Sequence, residues 1–263
     1  MRWARVLAVG LSGWITAAAT AEASQTSPGA VKLKTSDGLT LSGTEYGTGA
    51  KGVVLVHAAG RSATDWAPFA AKLASTGFHV VALDLRGHGA SHPPVAAGDA
   101  DWALMVNDVA AAAGFLRTKG ATQVSLVGAE LGANLVLNAA AADAEIRTVV
   151  LLSPALSAEG VKVSPAIDTY GARPILLVAG ADDAASARAA ALLEPKARGP
   201  KALELLEGAG AGVVMFNRSG GLEGTVIGWL NGSWQTTADG QSQLKAANVN
   251  EIETTGTKIE DRK

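Results

Sequence analysis

Residues 125–134 read S-L-V-G-A-E-L-G-A-N, from Ser125 to Asn134. A short apolar run ends in Gly128, Glu130 stands at the next bend, and Gly132 opens a stretch with helical spacing of apolar residues. The pattern is that of a buried strand turning sharply into a helix, with Glu130 at the apex and a glycine two residues to either side.

Working outward, similar short apolar runs occur at V-V-L-V 53–56, H-V-V-A-L 79–83, V-S-L-V 124–127, V-V-L-L 149–152 and I-L-L-V 175–178. Such runs suit strands buried on both faces of a parallel sheet. Between them lie alanine-rich stretches of helical length, Asp65 to Ser75, Asp101 to Thr118, Leu131 to Ala142 and Ala184 to Leu193. A last strand is expected near Ala202 to Leu206 and a last helix near Leu222 to Leu230. Alternating strands and helices predict an α/β fold, a doubly wound and mostly parallel sheet flanked by helices. Upstream, V-K-L-K-T-S-D-G-L-T-L-S-G-T-E-Y-G alternates apolar and polar residues around a D-G turn, the signature of an N-terminal antiparallel hairpin.

The ends read differently. M-R-W-A-R carries two arginines, an apolar run follows from Val6 to Thr20, and A-E-A precedes Ser24. That layout predicts a cleavable signal peptide over 1–23 and an exported, periplasmic or extracellular, mature protein. The run falls short of the roughly 20 apolar residues that a spanning helix needs. A linker is expected over 24–30, one domain over 31–234, and a polar, mostly irregular tail over 235–263 with an edge strand near Val249 to Glu253.

A composition of 48% hydrophobic and 17% charged residues is globular. The net charge of −2 becomes −3 without residues 1–23, which argues against nucleic acid and against an electrostatically bound membrane surface. With no cysteine, redox chemistry says nothing about the compartment.

Five landmarks in order, V-L-V-H-A-A-G at 54–60, V-A-L-D-L-R-G-H-G-A-S at 81–91, the bend at 128–132, L-L-V-A-G-A-D-D at 176–183 and G-A-G-A-G at 208–212, resemble the α/β-hydrolase superfamily. The resemblance covers roughly Val31 to Trp234 and is strongest to its small esterase and dienelactone-hydrolase-like members. It implies that Gly128 and Gly132 frame a nucleophile elbow in which Glu130 replaces the attacking serine. It further implies oxyanion-hole donors at the N–H groups of Ala59 and Leu131, and a supporting role for His57. Ala58 departs from the glycine usual in that loop.

The triad acid implied by the resemblance is Asp183, with Asp182 the weaker candidate; Asp183 is equally suited to capping the helix that follows. The base position, commonly G-x-x-H-G, falls on Ala211, so the histidine is lost. Arg86 and His88 read as parts of a structural turn, and His79 and His92 as core or surface positions. Glu130 and Asp183 facing each other would raise at least one carboxyl pKa. They could ligate a hard cation, but no further ligands are near in sequence, so no metal and no cofactor are expected.

Three functions are consistent with this sequence. The first is a catalytically degenerate pseudoenzyme that binds a small molecule in its cleft. The second is an active hydrolase of esters or alkyl halides with Glu130 as nucleophile or base. The third is a scaffold or accessory envelope protein, with the tail or outer surface contacting a partner that the sequence does not name. The short Pro-rich loop 92–98 predicts no large lid and an open, shallow pocket.

Overall fold

The computed structural model describes residues 27–91 and 99–236. The expected signal peptide over 1–23, the tail beyond Thr236, and the Pro-rich loop 92–98 with His92 lie outside the described residues. Strands β1 (Gly29–Lys34), β2 (Thr40–Tyr46), β3 (Lys51–Val56), β4 (Phe78–Leu83), β5 (Gln123–Ala129), β6 (Ile146–Leu152), β9 (Ile175–Gly180) and β10 (Lys201–Leu206) form one sheet in the order β1-β2-β4-β3-β5-β6-β9-β10. β1 and β2 pair antiparallel, as do β2 and β4, and the remaining neighbours are parallel. The hairpin starts at Gly29, where Gly29 pairs Glu45, inside the stretch expected to be linker.

The helices are α1 (Ala67–Ser75), α2 (Asp99–Leu104), α3 (Val106–Thr118), α4 (Leu131–Ala142), α5 (Ser164–Tyr170), α6 (Ala184–Leu193), α7 (Met215–Arg218) and α8 (Leu222–Leu230). The expected helix from Asp101 to Thr118 is two, broken at Met105, whose N–H bonds back only three residues to the Trp102 carbonyl. The stretch from Asp65 begins as a tight 3₁₀ turn over 63–66 before α1. A two-stranded hairpin, β7 (Ser157–Ala158) with β8 (Val161–Lys162), follows β6.

Successive strand residues point to opposite faces, and the core divides accordingly. Val54 and Val56 of β3 belong to one cluster with Val109 and Leu116 of α3, Leu135 of α4, Tyr170 of α5 and Leu193 of α6. Val53 and Leu55 face the other cluster, with Phe69 and Leu73 of α1, Met215 of α7 and Trp229 of α8. Val53 to Val56 are all 0% exposed. Each such side chain is worth roughly 1.5–3 kcal/mol on burial, so the sheet is covered on both sides because its sequence leaves no polar face. Trp234 closes the domain by packing its ring against Trp229 at 5.1 Å.

The chain leaves β3 toward β4 on one side and returns to place β5 on the other. The direction of winding therefore reverses between β3 and β5. In open α/β sheets the crevice beyond the carboxyl ends of the strands at such a reversal is where ligands bind.

Candidate active site

Glu130 sits at that crevice, between the end of β5 and the start of α4, with φ 53° and ψ −113°. A side chain in this region costs about 1–3 kcal/mol, so it persists only where neighbours hold it. Its N–H donates to the Leu152 carbonyl at 2.9 Å, and its own carbonyl accepts from the N–H groups of Ala133 and Asn134 at 3.0 and 3.2 Å. The glycines do the rest by close approach. A Cβ on Gly128 would lie 2.1 Å from the Gly132 carbonyl oxygen, and one on Gly132 would lie 2.3 Å from the Val56 oxygen and 2.7 Å from that of His57. The start of α4 is thus pressed against the end of β3, next to the loop that carries Ala59.

The Glu130 carboxylate projects over the loop after β10. Its Oε1 is 2.6 Å from the position a Cβ on Gly212 would take. Among the described residues it accepts no hydrogen bond. The protein crowded around it and, after that, the charge of Asp183 push its pKa above the usual glutamate range, against the opposing pull of Arg61.

Asp183 caps α6, accepting from the Ser186 N–H at 3.3 Å and from the Ser186 hydroxyl. Asp182 accepts from the Gly210 N–H, 3.1 Å to each carboxylate oxygen. Ala211, at the implied base position, is extended, and its neighbour Gly212 donates to the buried Ser153 hydroxyl at 2.9 Å. Ser153 itself has φ 51° at the end of β6. Strands β5, β6, β9 and β10 therefore bring Glu130, Ser153, Asp183 and Ala211 to one edge of the sheet, with the β3 loop beside them.

The described histidines are engaged elsewhere. His57 is 0% exposed; its Nε2 accepts from the Leu85 N–H at 3.1 Å, so its Nδ1 carries the proton and donates to the Ala58 carbonyl at 2.8 Å. Burial lowers its pKa to about 4, and it is neutral. His79 lies within β4, and its Nε2 pairs with Glu45 at 2.6 Å. His88 holds the Arg86 carbonyl through Nδ1 at 2.9 Å. That turn is pinned by Arg86, which reaches both Asp108 and Asp37, and by Asp84, which accepts from the Ala63 and Ala90 N–H groups.

The Ala58 carbonyl accepts from the Arg61 N–H at 3.1 Å as well as from His57, closing a turn through Gly60 at φ 69°. Ala58 has no positive φ, so its methyl sits in this loop without backbone strain. Among the described residues, neither the Ala59 nor the Leu131 N–H donates to a backbone carbonyl or a side chain outside the regular helices and strands. Arg61 is held by Asp65 at 2.6 Å and lies close enough to Glu130 to affect its charge. Among the described residues no group of three or more His, Asp or Glu could hold a metal ion.

Sequence reasoning did not find Arg61, Ser153 or Gly212. Arg61 could have been found, two residues past Ala59 in the same loop. Ser153 and Gly212 lie 59 residues apart, and only the fold pairs them.

A parallel sheet with an antiparallel N-terminal pair, helices on both faces and a strained bend after the central strand define an α/β-hydrolase fold. Residues 49–180 match the family described as serine aminopeptidase, S33, and the chain belongs to that family within the α/β-hydrolase superfamily. No curated protein matches the sequence. Among solved structures, an esterase from Pyrococcus furiosus is 16% identical, with 78% of this chain and 92% of that chain covered at a TM-score of 0.63. A dienelactone hydrolase from Anabaena variabilis is 18% identical, covering 78% and 95% at 0.62. An esterase from Exiguobacterium antarcticum is 15% identical, covering 76% and 99% at 0.62. At these identities the likeness is one of fold.

Proposed function

We propose that the chain is an exported α/β-hydrolase-fold protein that has lost serine-type hydrolysis and works by binding a small molecule at the Glu130 site. The observation that carries this reading is the pairing of Glu130 with Gly212: the carboxylate stands against the loop in which Ala211 replaces the base. A serine-type cycle needs a nucleophile, a histidine to take and return its proton, and an acid to orient that histidine. The acid position alone is filled here, and Asp183 spends its carboxylate on Ser186. His57, His79 and His88 hold the framework. The N–H groups of Ala59 and Leu131 need no side chain to bind a carbonyl oxygen, and they supply the ligand contact that survives.

The test is turnover of p-nitrophenyl butyrate by purified protein. The expected result is a rate no greater than buffer, unchanged in Glu130→Ala. Multiple turnovers that vanish in Glu130→Ala would overturn the reading.

A further inference from the structure

We propose that the Glu130 site is a carbon-acid catalyst, in which the carboxylate removes and returns a proton on the carbon next to a carbonyl whose oxygen the Ala59 and Leu131 N–H groups hold. This goes beyond the binding reading and rests on its premise that serine-type hydrolysis is gone.

The argument starts from what the site retains. One group is a carboxylate that accepts no hydrogen bond from the described residues, and the others are two N–H donors without a partner outside the regular ladders. Base and donor are adjacent, since Leu131 directly follows Glu130 in the chain. The contact of Gly132 with the Val56 and His57 carbonyls brings the end of β3, and with it the loop carrying Ala59, to the same point.

Hydrolysis through a carboxylate nucleophile would leave an ester or anhydride on Glu130 that a second base must clear, and Ala211 is no base. Proton transfer at carbon needs one base and one oxyanion site, and both are present. The step balances without a co-reactant. The Glu130 carboxylate takes the α-hydrogen as a proton. The C–H electron pair becomes the new C=C π bond, and the C=O π pair moves onto oxygen, giving an enolate at the two N–H donors. The Glu130 carboxylic acid then returns the proton to the α-carbon, which is exchange, or to the γ-carbon of a β,γ-unsaturated carbonyl, which is isomerisation. One negative charge is present throughout and only moves, so Asp183 and Arg61, the charged groups that act on Glu130, face no added charge. A carboxyl raised above its usual range by crowding and by Asp183 is also a stronger base than a solvated one. The substrate class is a small ketone or ester with an acidic α-hydrogen.

Two probes test it with the full chain: conversion of 3-cyclohexen-1-one to its conjugated isomer, followed by ultraviolet absorbance, and deuterium uptake from D₂O at the α-carbons of phenylacetone, followed by NMR. The expected result with either probe is a rate at least about a hundredfold above that of the same concentration of acetate. Glu130→Gln should abolish this, and Glu130→Asp, one methylene shorter, should reduce it. Circular dichroism verifies that each variant is folded. Rates no greater than acetate with both probes, or rates retained by folded Glu130→Gln, would overturn the proposal. Turnover of p-nitrophenyl butyrate, measured on the same samples, bears on the loss of serine-type hydrolysis. A chain that exchanges but does not turn over ester supports both readings, and one that does neither overturns this one alone.

Discussion

Glu130 and Gly212 share one space: the carboxylate oxygen of the first lies 2.6 Å from where the side chain of the second would begin. The two residues come from loops after β5 and β10, and their contact joins the bend at Glu130 to the loop that carries Ala211, the implied base position. Gly212 is also at φ 60°, where a side chain is strained whatever the space.

Both effects oppose Gly212→Ala, which is expected to cost about 1–3 kcal/mol in urea unfolding. Removing the carboxylate relieves only the collision. In a Glu130→Ala background the cost of Gly212→Ala should therefore fall by at least about 0.5 kcal/mol while the part due to φ remains. Equal costs in the two backgrounds would show that the residues do not meet.

The raised pKa of Glu130 fixes a sign for its effect on stability. In the window between the ordinary glutamate value and the raised one, the folded state holds the proton and the unfolded state has released it. Stability from this group is full below that window and falls as pH rises through it. Glu130→Gln removes the effect, so its stability should decline less than wild type between mildly acidic and neutral pH. Parallel urea midpoints across that range check it, and a steeper decline in the variant would contradict the assignment.

His57 gives the opposite slope. Its pKa falls from 6.5 to about 4 because it is buried, so the unfolded state binds the proton first and stability drops as pH falls between those values. For a shift of this size the loss is about 3 kcal/mol. His57→Gln should be less stable at neutral pH, because the Leu85 N–H and the Ala58 carbonyl lose their imidazole partner. Its stability should vary less between pH 6.5 and 4.

Much of this architecture can be read along the chain because burial on two faces leaves an apolar run wherever a parallel strand passes. The runs undercount at their ends: Lys51 and Gly52 lie in β3 by pairing with Phe78 and His79, which no apolar pattern announces. The β7–β8 hairpin and α7 are too short to carry a period. The hairpin is fixed from a distance by Asn134, which donates to the Val161 carbonyl and accepts from the Ala155 N–H. In the site, the close approach of Gly128 to Gly132 is local and legible, whereas that of Gly132 to the Val56 and His57 carbonyls joins residues far apart in the chain. The contact of Glu130 with Gly212 and the bond from Gly212 to Ser153 depend on strands joined only by the sheet, and local sequence holds no trace of them.

Arg86 is a single cation shared by two carboxylates from distant segments. It reaches Asp108, which is 0% exposed, and Asp37, and burial works against its charge while the two acids hold it above the usual arginine value. Removing the cation alone strands Asp108 in the interior, and Arg86→Met is expected to lose about 3–5 kcal/mol. Arg86→Met with Asp108→Leu should recover part of that loss, since no charge is left buried there. Urea unfolding of the two variants compares them; a double variant less stable than Arg86→Met would mean that the turn, and not the stranded charge, sets the cost.

Asp183 has two effects that two substitutions separate. As the cap of α6 it binds Ser186, and as a charge it raises the Glu130 pKa. Asp183→Ala removes both, with a stability loss of about 0.5–2 kcal/mol for the cap. Asp183→Asn keeps an oxygen to accept from the Ser186 N–H and deletes the charge. It should lie closer to wild type in thermal unfolding and yet lower the Glu130 pKa as far as Asp183→Ala does, as read by carbon NMR titration of the Glu130 carboxyl. A Glu130 titration left unmoved by both variants would mean that crowding alone sets its pKa, and the two acids would then be neighbours without being coupled.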